Sequence, residues 1–375
     1  MAPTVSRKRS KLPEPLKILH SSETVQGGVG SYMRILSRMS GKEVDQIFLI
    51  PSEHQNYLLP GDPRVRTYPQ AKRGLSGCWQ QAKYIQRCIK ELSPDILFLH
   101  SSFSLVALVL LRMRGLSTPV MYCPHGWAVS RYKNDSLKAK LVAFIEGLLV
   151  ALPDVTVNIS KYDLELARRL GYRGRHELLE NAVPPPTENA SPNLFKAEPE
   201  SLHLLFVGRL DRQKGYDILI SAFKEARKHR KDLRLHIVGE AVRADGSTIT
   251  ASEGVDFAGW IDSGKLDDWY RSADVLVVPS RWEGFGLVVA EALRNGTPVI
   301  CSDRGALPDL VREDETGHVF SFGVEGLVSC LTSLDRKALH AMRPACSASY
   351  KSRFSIERFD NDLLNRYQDL LEIAP

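Results

Sequence analysis

The chain has 375 residues, of which 43% are apolar and 25% charged, a length and composition that predict a globular protein of two domains. Its six cysteines lie far apart, with no C-x-x-C pair and no histidine cluster beside them, which argues against a disulfide framework or a zinc site and favours reduced thiols. The net charge of +6 divides into +11 over residues 1–185 and −5 over residues 186–375. Because the sequence has no nucleic-acid-binding motif, the basic half predicts contact with an anionic membrane surface or a phosphate-bearing lipid. The alternative is an ordinary solvated basic surface.

The first fifteen residues contain four basic residues and three prolines but no apolar segment. Residues 1–15 are therefore predicted to be a disordered basic tail and not a secretory signal. The longest apolar stretches, 103–111 and 141–152, are shorter than the ~18 residues that a membrane-spanning helix needs. The expected location is the cytoplasm, with peripheral contact at the inner face of the membrane.

From residue 16 onwards, short apolar strands alternate with amphipathic helices. The predicted strands of the first half are 16–20, 44–50, 95–100, 119–123, 154–159 and 176–180. The predicted helices between them are 32–39, 78–92, 104–113, 136–152 and 161–170. This alternation predicts a parallel sheet that is covered by helices on both faces.

A proline cluster at residues 184–186 and a polar stretch predict a linker at 187–200. The alternation then resumes, with predicted strands at 202–208, 234–238, 255–258, 274–278 and 298–301 and helices at 216–230, 265–272 and after residue 286. The predicted architecture is two Rossmann-like, doubly wound domains, residues 16–186 and 201–353, facing each other across a cleft. Ligands of such domains bind at the carboxyl ends of the strands.

The stretch 279–291 predicts the end of a strand, a loop with two glycines and the start of a helix. Free backbone N–H groups and the helix dipole favour an anion such as phosphate at such a turn, and Gly286 lets the backbone approach a ligand. Glu283 and Glu291 frame the turn and offer acceptors for sugar hydroxyls. The pattern indicates a sugar-nucleotide site; alternatively, Glu283 caps the helix and Glu291 is solvated.

A second turn, from Gly208 to Gly215, contains two cations between a strand and a helix. Arg209 supplies a planar fork of donors and Lys214 a point charge, a combination that suits a diphosphate. The alternative is that both cations are solvated surface residues.

The first half contains two further strand-to-helix turns of interest. Gly27, Gly28 and Gly30 form a tight turn that is neither a dinucleotide fingerprint nor a phosphate-binding P-loop. His125 follows a strand and is placed to face the cleft, although a single histidine is more often structural. Arg131 and Lys133 come shortly after it and are candidates for contact with phosphate on an acceptor.

Taken together, these motifs resemble those of the retaining glycosyltransferases of family 4, the group 1 glycosyltransferases of GT-B architecture. The resemblance is carried by Glu283-x7-Glu291 with Gly-Phe-Gly inside it and Pro-Ser before it, and by Gly-Arg-Leu followed by Lys214-Gly. It covers roughly residues 16–320 and a last helix within residues 354–375, which in GT-B enzymes crosses back to the first domain.

The resemblance implies roles for individual residues. Arg209 and Lys214 would neutralise the leaving diphosphate, with His125 and Glu283 completing the catalytic set. The sugar would be held by Glu283 and the backbone of Phe285, Gly286 and Leu287, and the ribose by Glu291. The nucleoside would lie near Glu240, Trp260 and Ile261, although Trp260 departs from the small apolar residue common at its position. The turn with Gly27, Gly28 and Gly30 would face the donor phosphates and the acceptor. Arg131 and Lys133 would complete the acceptor side.

The implied activity is retaining hexosyl transfer from a UDP- or GDP-sugar to a hydroxyl of a glycan or lipid-linked acceptor, in surface polysaccharide biosynthesis of a bacterial type. Front-face attack, with the leaving phosphate as base, is expected. No cofactor and no metal are expected, in keeping with the lack of a convincing Asp-x-Asp motif. The alternatives are a GT-B epimerase or phosphorylase, and a non-catalytic sugar-nucleotide-binding protein of the same fold.

Overall fold

The computed structural model describes residues 15–39, 43–69, 74–132, 136–188, 190–191, 194–240, 253–262 and 264–373. The predicted basic tail lies outside these residues except for Pro15, and so does Lys133.

The first half of the chain forms a seven-stranded sheet in which each strand pairs in parallel with its neighbours, in the order β3-β2-β1-β4-β5-β6-β7. Its strands are β1 (Leu16–Ser22), β2 (Val44–Pro51), β3 (Val65–Tyr68), β4 (Ile96–His100), β5 (Val120–Cys123), β6 (Val155–Asn158) and β7 (His176–Leu178). Its helices are α1 (Gly28–Arg38), α2 (Leu75–Leu92), α3 (Phe103–Met113), α4 (Leu137–Leu149) and α5 (Lys161–Arg169). Short 3-10 helices lie at Ser52–Tyr57 and Ala128–Arg131.

The second half forms a six-stranded parallel sheet in the order β10-β9-β8-β11-β12-β13. Its strands are β8 (Leu202–Val207), β9 (Leu233–Val238), β10 (Val255–Gly259), β11 (Val275–Val278), β12 (Val299–Ser302) and β13 (Gly317–Phe320). Its helices are α6 (Tyr216–Ala226), α7 (Leu266–Ser272), α8 (Leu287–Arg294), α9 (Val324–Ser333), α10 (Arg336–Ser349) and α11 (Ile356–Ile373), with a 3-10 helix at Leu307–Asp309 and a π-helical turn at Tyr350–Phe354.

The central strands are buried along their whole length. Every residue of β4, β5, β11 and β12 is buried. Strands covered on both faces have continuous apolar runs instead of alternating ones, which is why the sequence indicates a parallel sheet. The prediction of two parallel α/β domains is confirmed.

One edge strand of each sheet was not predicted. β3 and β13 are four residues long and only partly buried, so neither has a continuous apolar run. Helices α9 and α10 were also missed; α10 has Pro344 inside it, a residue that normally argues against a helix interior.

Side-chain caps fix the start of several helices. The Ser136 hydroxyl accepts a hydrogen bond from the Ala139 N–H at 3.1 Å, and Ser160 accepts one from Asp163 N–H at 3.1 Å. Such caps satisfy N–H groups that have no partner inside the helix. Helix α4 ends at Leu149, three residues earlier than predicted.

The predicted linker packs against the second sheet where it is described. The Phe195 ring stacks on His236 with centroids 3.8 Å apart, and Thr187 donates its backbone N–H to Asp267 at 2.7 Å.

The chain passes between the two sheets twice, near Val183 and near Phe354. The two crossings are side by side: the Val183 N–H donates to the Phe354 carbonyl at 3.0 Å, and the Tyr350 hydroxyl donates to the Val183 carbonyl at 3.3 Å. Beyond the second crossing, α11 packs on the first half of the chain. The Phe359 ring meets Tyr32 edge-on with centroids 5.6 Å apart.

Candidate active site

The turn before α8 is shaped by Gly286. This residue has φ of 102°, a conformation that favours glycine, and a Cβ there would lie 3.0 Å from the Leu307 side chain. The Phe285 side chain is buried and its ring lies 5.7 Å from that of Phe354. Phe285 can therefore serve a ligand only through its backbone. The N–H groups of Leu287 and Val288 precede the first hydrogen bond of α8, which the Val289 N–H donates to the Gly286 carbonyl at 2.9 Å.

The Glu283 carboxylate is held at one oxygen. Its Oε1 atom accepts a hydrogen bond from Lys214 Nζ at 2.6 Å and another from the Ser280 hydroxyl at 2.9 Å. Its backbone carbonyl accepts the Ala306 N–H at 3.1 Å. The side chains of Lys214 and Glu283 are only 19% and 9% exposed. Both side-chain contacts fall on Oε1, which leaves Oε2 for a ligand.

Glycine allows the loop that carries Lys214 to approach β11. Gly215 has φ of 71°, and a Cβ there would lie 1.9 Å from the Pro279 carbonyl oxygen. The Lys214 N–H donates to Asp211 Oδ1 at 3.0 Å. The loop that follows β8 is therefore in backbone contact with the residue after β11, which places Lys214 against Glu283.

Arg209 does not share this contact. Its side chain is 51% exposed, and its Nη2 atom lies 2.9 Å from Gln213 Oε1 and 3.1 Å from Asp211. Gln213 in turn donates to the Trp282 carbonyl at 3.3 Å. The two predicted phosphate cations thus differ: Lys214 is paired and mostly buried, whereas Arg209 stands at the surface of the turn.

Glu291 is the fifth residue of α8, whereas Glu283 lies in the loop before this helix. Its Oε2 atom accepts a hydrogen bond from the buried Tyr270 hydroxyl at 2.8 Å. Burial raises the pKa of this carboxyl above its ordinary value, while Arg294 and the Tyr270 hydrogen bond act in the opposite direction. The carboxylate therefore has one oriented oxygen and is not freely solvated.

The residues predicted for the nucleoside lie at the ends of β9 and β10. The Glu240 carbonyl accepts the Leu210 N–H at 3.0 Å, while its side chain is exposed. Trp260 is 70% exposed, and Ile261 is half-buried against the core. An exposed indole is available for stacking on a base.

Three histidines form a chain that ends at the cleft. His125 follows β5 with φ of 55°, and its Nε2 atom lies 3.1 Å from His100 Nδ1. His100 Nε2 lies 3.1 Å from His20 Nδ1. The Tyr32 ring meets His125 edge-on, with centroids 4.8 Å apart. Neutral imidazoles can bond in such a chain because each has one N–H and one lone pair.

Burial keeps this chain uncharged. Removal from water lowers the pKa of His125 and of His20 to about 3 and that of His100 well below its ordinary value. His125 would therefore meet a ligand as a neutral hydrogen-bonding group. The sequence analysis missed His20 and His100, although both stand near the carboxyl end of a central strand, β1 and β4, which was the available signal.

The loops that carry His125 and Glu283 touch each other. A Cβ on Gly284 would lie 3.1 Å from the Cα atom of Gly126 and 3.5 Å from the His125 carbonyl oxygen. The two halves of the predicted catalytic set are brought together by this contact of two glycines.

The glycine turn before α1 has one crowded and one open position. A Cβ on Gly30 would lie 2.0 Å from the Val25 carbonyl oxygen, whereas one on Gly28 meets nothing within 4 Å. Gly27 precedes the helix with φ of 63°. Arg131 is exposed at the end of a 3-10 helix, and Lys133 lies outside the described residues.

We expect these two glycines to respond differently to alanine. Gly30→Ala should lower the free energy of unfolding by about 2 kcal/mol because the backbone must move. Gly28→Ala should leave it unchanged or raise it by about 0.5 kcal/mol, and weaken ligand binding if this face of the turn meets a ligand. Urea unfolding and calorimetric titration of both variants measure this. Equal stability losses would contradict the assignment of Gly28 as the open position.

Among the described residues, Glu313, Asp314 and His318 form a group close enough to share an ion. Glu313 and Asp314 are exposed, and His318 Nδ1 lies 2.9 Å from Glu313 Oε1. Exposed acidic groups of this kind are common without an ion. The metal independence of the site remains a prediction.

Two family models match the chain. The model of the Glycosyl transferases group 1 matches residues 190–336, and that of the Glycosyl transferase 4-like domain matches residues 27–182. The first match contains the second sheet, from β8 to β13, and ends at the start of α10. The second match starts after β1 and runs from the turn before α1 to β7.

Curated relatives are similar over different lengths. An uncharacterized 41.2 kDa protein in the cps region of Klebsiella pneumoniae is 27% identical over 367 residues, 94% of this chain and 98% of that protein. A D-inositol 3-phosphate glycosyltransferase of Segniliparus rotundus is 33% identical over 188 residues, and the sulfoquinovosyl transferase of Arabidopsis thaliana is 30% identical over 169 residues. These alignments cover 46% and 44% of this chain, and 41% and 32% of the respective enzymes.

Solved structures share the fold over almost the whole chain. A sucrose-phosphate synthase of Thermosynechococcus elongatus superposes with a TM-score of 0.78 at 20% identity, covering 95% of this chain and 99% of that one. The Anabaena protein HepE, solved in complex with UDP and glucose, gives 0.75 at 15% identity, covering 94% and 99%. The predicted GT-B fold class is confirmed.

Proposed function

Since the chain belongs to the group 1 glycosyl transferases, we propose that it is a retaining transferase that moves a hexose from a UDP- or GDP-sugar to a hydroxyl of a glycan or lipid-linked acceptor. The observation that carries this proposal is the contact of Lys214 with Glu283 beside the first turn of α8. It places a cation, a carboxylate and a helix N-terminus within one turn, as a sugar diphosphate requires. The UDP complex of the Anabaena structural relative supports the nucleotide.

The Lys214–Glu283 ion pair determines the direction from which the donor diphosphate can approach, and Lys214 must exchange partners when the donor binds. A carboxylate repels phosphate, so the diphosphate must approach Lys214 from the side away from Glu283. Lys214 then turns towards the diphosphate, and Glu283 is released to accept a sugar hydroxyl. The Ser280 hydroxyl, 2.9 Å from Oε1, keeps the carboxylate oriented during this exchange.

Charge develops on the diphosphate as the bond between the anomeric carbon and the phosphate oxygen breaks. Lys214, Arg209 and the N–H groups at the start of α8 are the groups that would stabilise this charge. The acceptor oxygen bonds to the anomeric carbon on the same face, and its proton passes to the leaving phosphate oxygen. The configuration is thereby retained, and in this proposal the cations and the helix dipole take the place of a metal.

The remaining predicted residues have positions that suit the parts of such a donor. Glu291, oriented by Tyr270, would accept the ribose hydroxyls, and Trp260 and Ile261 would border the base. His125, neutral and partly exposed, would hydrogen-bond to the transferred sugar. Gly28 leaves space at the opposite wall of the cleft for the donor phosphates and the acceptor.

We propose surface polysaccharide biosynthesis of a bacterial type as the setting. The relative that spans 94% of this chain is described by its place in a cps region, which supports this role. The basic first half, with net charge +11 over residues 1–185, suits a phosphate-bearing lipid acceptor at a membrane. The part of the chain that the structure describes has no helix long and apolar enough to cross a membrane.

Calorimetric titration with UDP and with GDP tests the donor site. We expect one of the two to bind and Lys214→Ala to weaken it at least about tenfold, the cost of losing a charged hydrogen bond. Lys228→Ala, which removes a cation that is 66% exposed and lies outside the predicted site, is the matched control and should leave the affinity unchanged. Binding of neither nucleotide, or unaltered binding to Lys214→Ala, would overturn the proposed site.

A further inference from the structure

Helix α4 presents its long apolar side chains to solvent. Five of them are between 46% and 85% exposed and are called the α4 stripe: Leu137, Leu141, Phe144, Ile145 and Leu148. Their spacing of four, three, one and three residues places them on one face of the helix. A surface helix normally turns such a face towards the core, so α4 has the opposite orientation.

The other face of α4 is fixed by a buried carboxyl group. Glu146 accepts hydrogen bonds from the Ala128 N–H at 2.9 Å, the Val129 N–H at 3.2 Å and the Tyr172 hydroxyl at 3.1 Å. Burying a carboxyl is costly without such partners. The network therefore determines which side of α4 faces the domain, and the α4 stripe is left on the outside.

Two lysines border the α4 stripe. With 100° between successive residues of a helix, Lys138 and Lys140 fall on opposite sides of the stripe. Both are exposed, and the single acidic residue of the helix, Glu146, is the buried one. An apolar face with a lysine on either side is typical of a helix that lies in the interface of an anionic bilayer.

We propose that the α4 stripe is a membrane-contact surface that inserts into the interface of an anionic lipid bilayer. A second copy of the chain is a poor occupant of this surface, because a dimer built on it would bring the lysines beside one stripe close to those beside the other, and like charges repel. Anionic lipid, in contrast, complements these lysines.

The position of α4 connects this surface with the cleft. The 3-10 helix Ala128–Arg131, held by Glu146, lies between His125 and α4 in the chain. A bilayer on the α4 stripe would thus lie next to the side of the cleft proposed for the acceptor. Membrane contact would bring the cleft close to a lipid-linked acceptor. This part of the inference rests on the proposed function.

Vesicle flotation tests the surface directly. We expect the wild-type chain to float with phosphatidylcholine vesicles containing roughly 30% phosphatidylglycerol, and not with phosphatidylcholine alone. The pair Leu141→Glu/Phe144→Glu should lower the partition coefficient at least about tenfold, and Lys138→Ala/Lys140→Ala by up to about 30-fold. The matched control is Leu194→Glu, an exposed apolar position in the second half, which should float like the wild type.

Three outcomes would overturn the proposal: no flotation of the wild type with anionic vesicles, flotation of the glutamate pair like the wild type, and a dimer in sedimentation velocity that the glutamate pair dissociates. Thermal melting checks that the variants are folded. We expect the glutamate pair to melt like the wild type because both replaced side chains are exposed. UDP and GDP titration of the same samples keeps the two proposals apart. A chain that floats but binds no nucleotide refutes only the donor site, and the reverse refutes only the surface.

Discussion

Lys214→Met is expected to slow sugar transfer by about 10³-fold and to lower the free energy of unfolding by about 3 kcal/mol. Transfer slows because the leaving diphosphate loses a preorganised charge whose side chain is only 19% exposed. Stability falls because Glu283, 9% exposed, is left without its cation. The two effects are measured by nucleotide release from the donor that the titration identifies and by urea unfolding.

A second substitution separates the two effects. Glu283→Gln on the Lys214→Met background removes the unpaired charge, so most of the lost stability should return while transfer stays slow. Arg209→Met is the matched control for stability, because this cation is half exposed and should cost little. Recovery of transfer together with stability in the double variant would show that the ion pair is only structural.

The second large effect is expected on acidification. Each of His20, His100 and His125 is neutral in the folded chain, with a pKa of about 3 for two of them, while the unfolded chain takes up protons below about pH 6.5. Because the unfolded state binds more protons, stability falls as the pH falls. The loss approaches about 1.4 kcal/mol per pH unit for each histidine.

Buried carboxyls act in the opposite direction. Burial raises the pKa of Asp163 to about 8 and also raises the pKa of Glu146 and Glu291. The folded state holds these protons better than the unfolded state, so their contribution grows as the pH falls. These carboxyls offset part of the slope that the three histidines give, whereas His236, whose pKa burial lowers to about 4, adds to it.

The variant His20→Phe measures the contribution of one histidine to the pH dependence of the free energy of unfolding. Its ring can still stack on Phe48, which lies 5.0 Å from the His20 ring. Urea unfolding between pH 7.5 and pH 4.5 should show a slope that is smaller than that of the wild type by about one proton. An unchanged slope would mean that His20 is protonated in the folded chain.

The alternation of elements was predictable because central parallel strands are apolar along their length. β11 consists of Val275, Leu276, Val277 and Val278 and has no polar position that would suggest another structure. Edge strands lack this signal: three of the four residues of β3 are only partly buried. An edge strand such as β3 forms because its backbone pairs with a neighbouring strand, and a local sequence pattern does not reveal that pairing.

The site residues were predictable in kind but not in their pairing. Carboxyl ends of parallel strands converge on one edge, so motifs at those ends are expected to meet there. Lys214 and Glu283 are 69 residues apart, and their contact depends on the close approach of Gly215 to Pro279. The sequence presents Arg209 and Lys214 as equivalent cations, whereas the structure pairs one with Glu283 and the other with Gln213 and Asp211.

The spacing of apolar residues in α4 could not predict whether its apolar face points to the core or to solvent. The spacing of its apolar residues defines a face but not the direction in which that face points. The direction follows from the four donors that contact Glu146, two of which are backbone N–H groups of a neighbouring segment.

The paired crossings at Val183 and Phe354 restrict how the two domains can move. A single connecting segment would let the two domains rotate about three axes. Two adjacent connecting segments that are joined by a hydrogen bond act as a hinge with one axis. Bending about the line through the crossings keeps that bond, whereas twisting must break it. The cleft can therefore open and shut while Gly126 and Gly284 return to the same register on every closure.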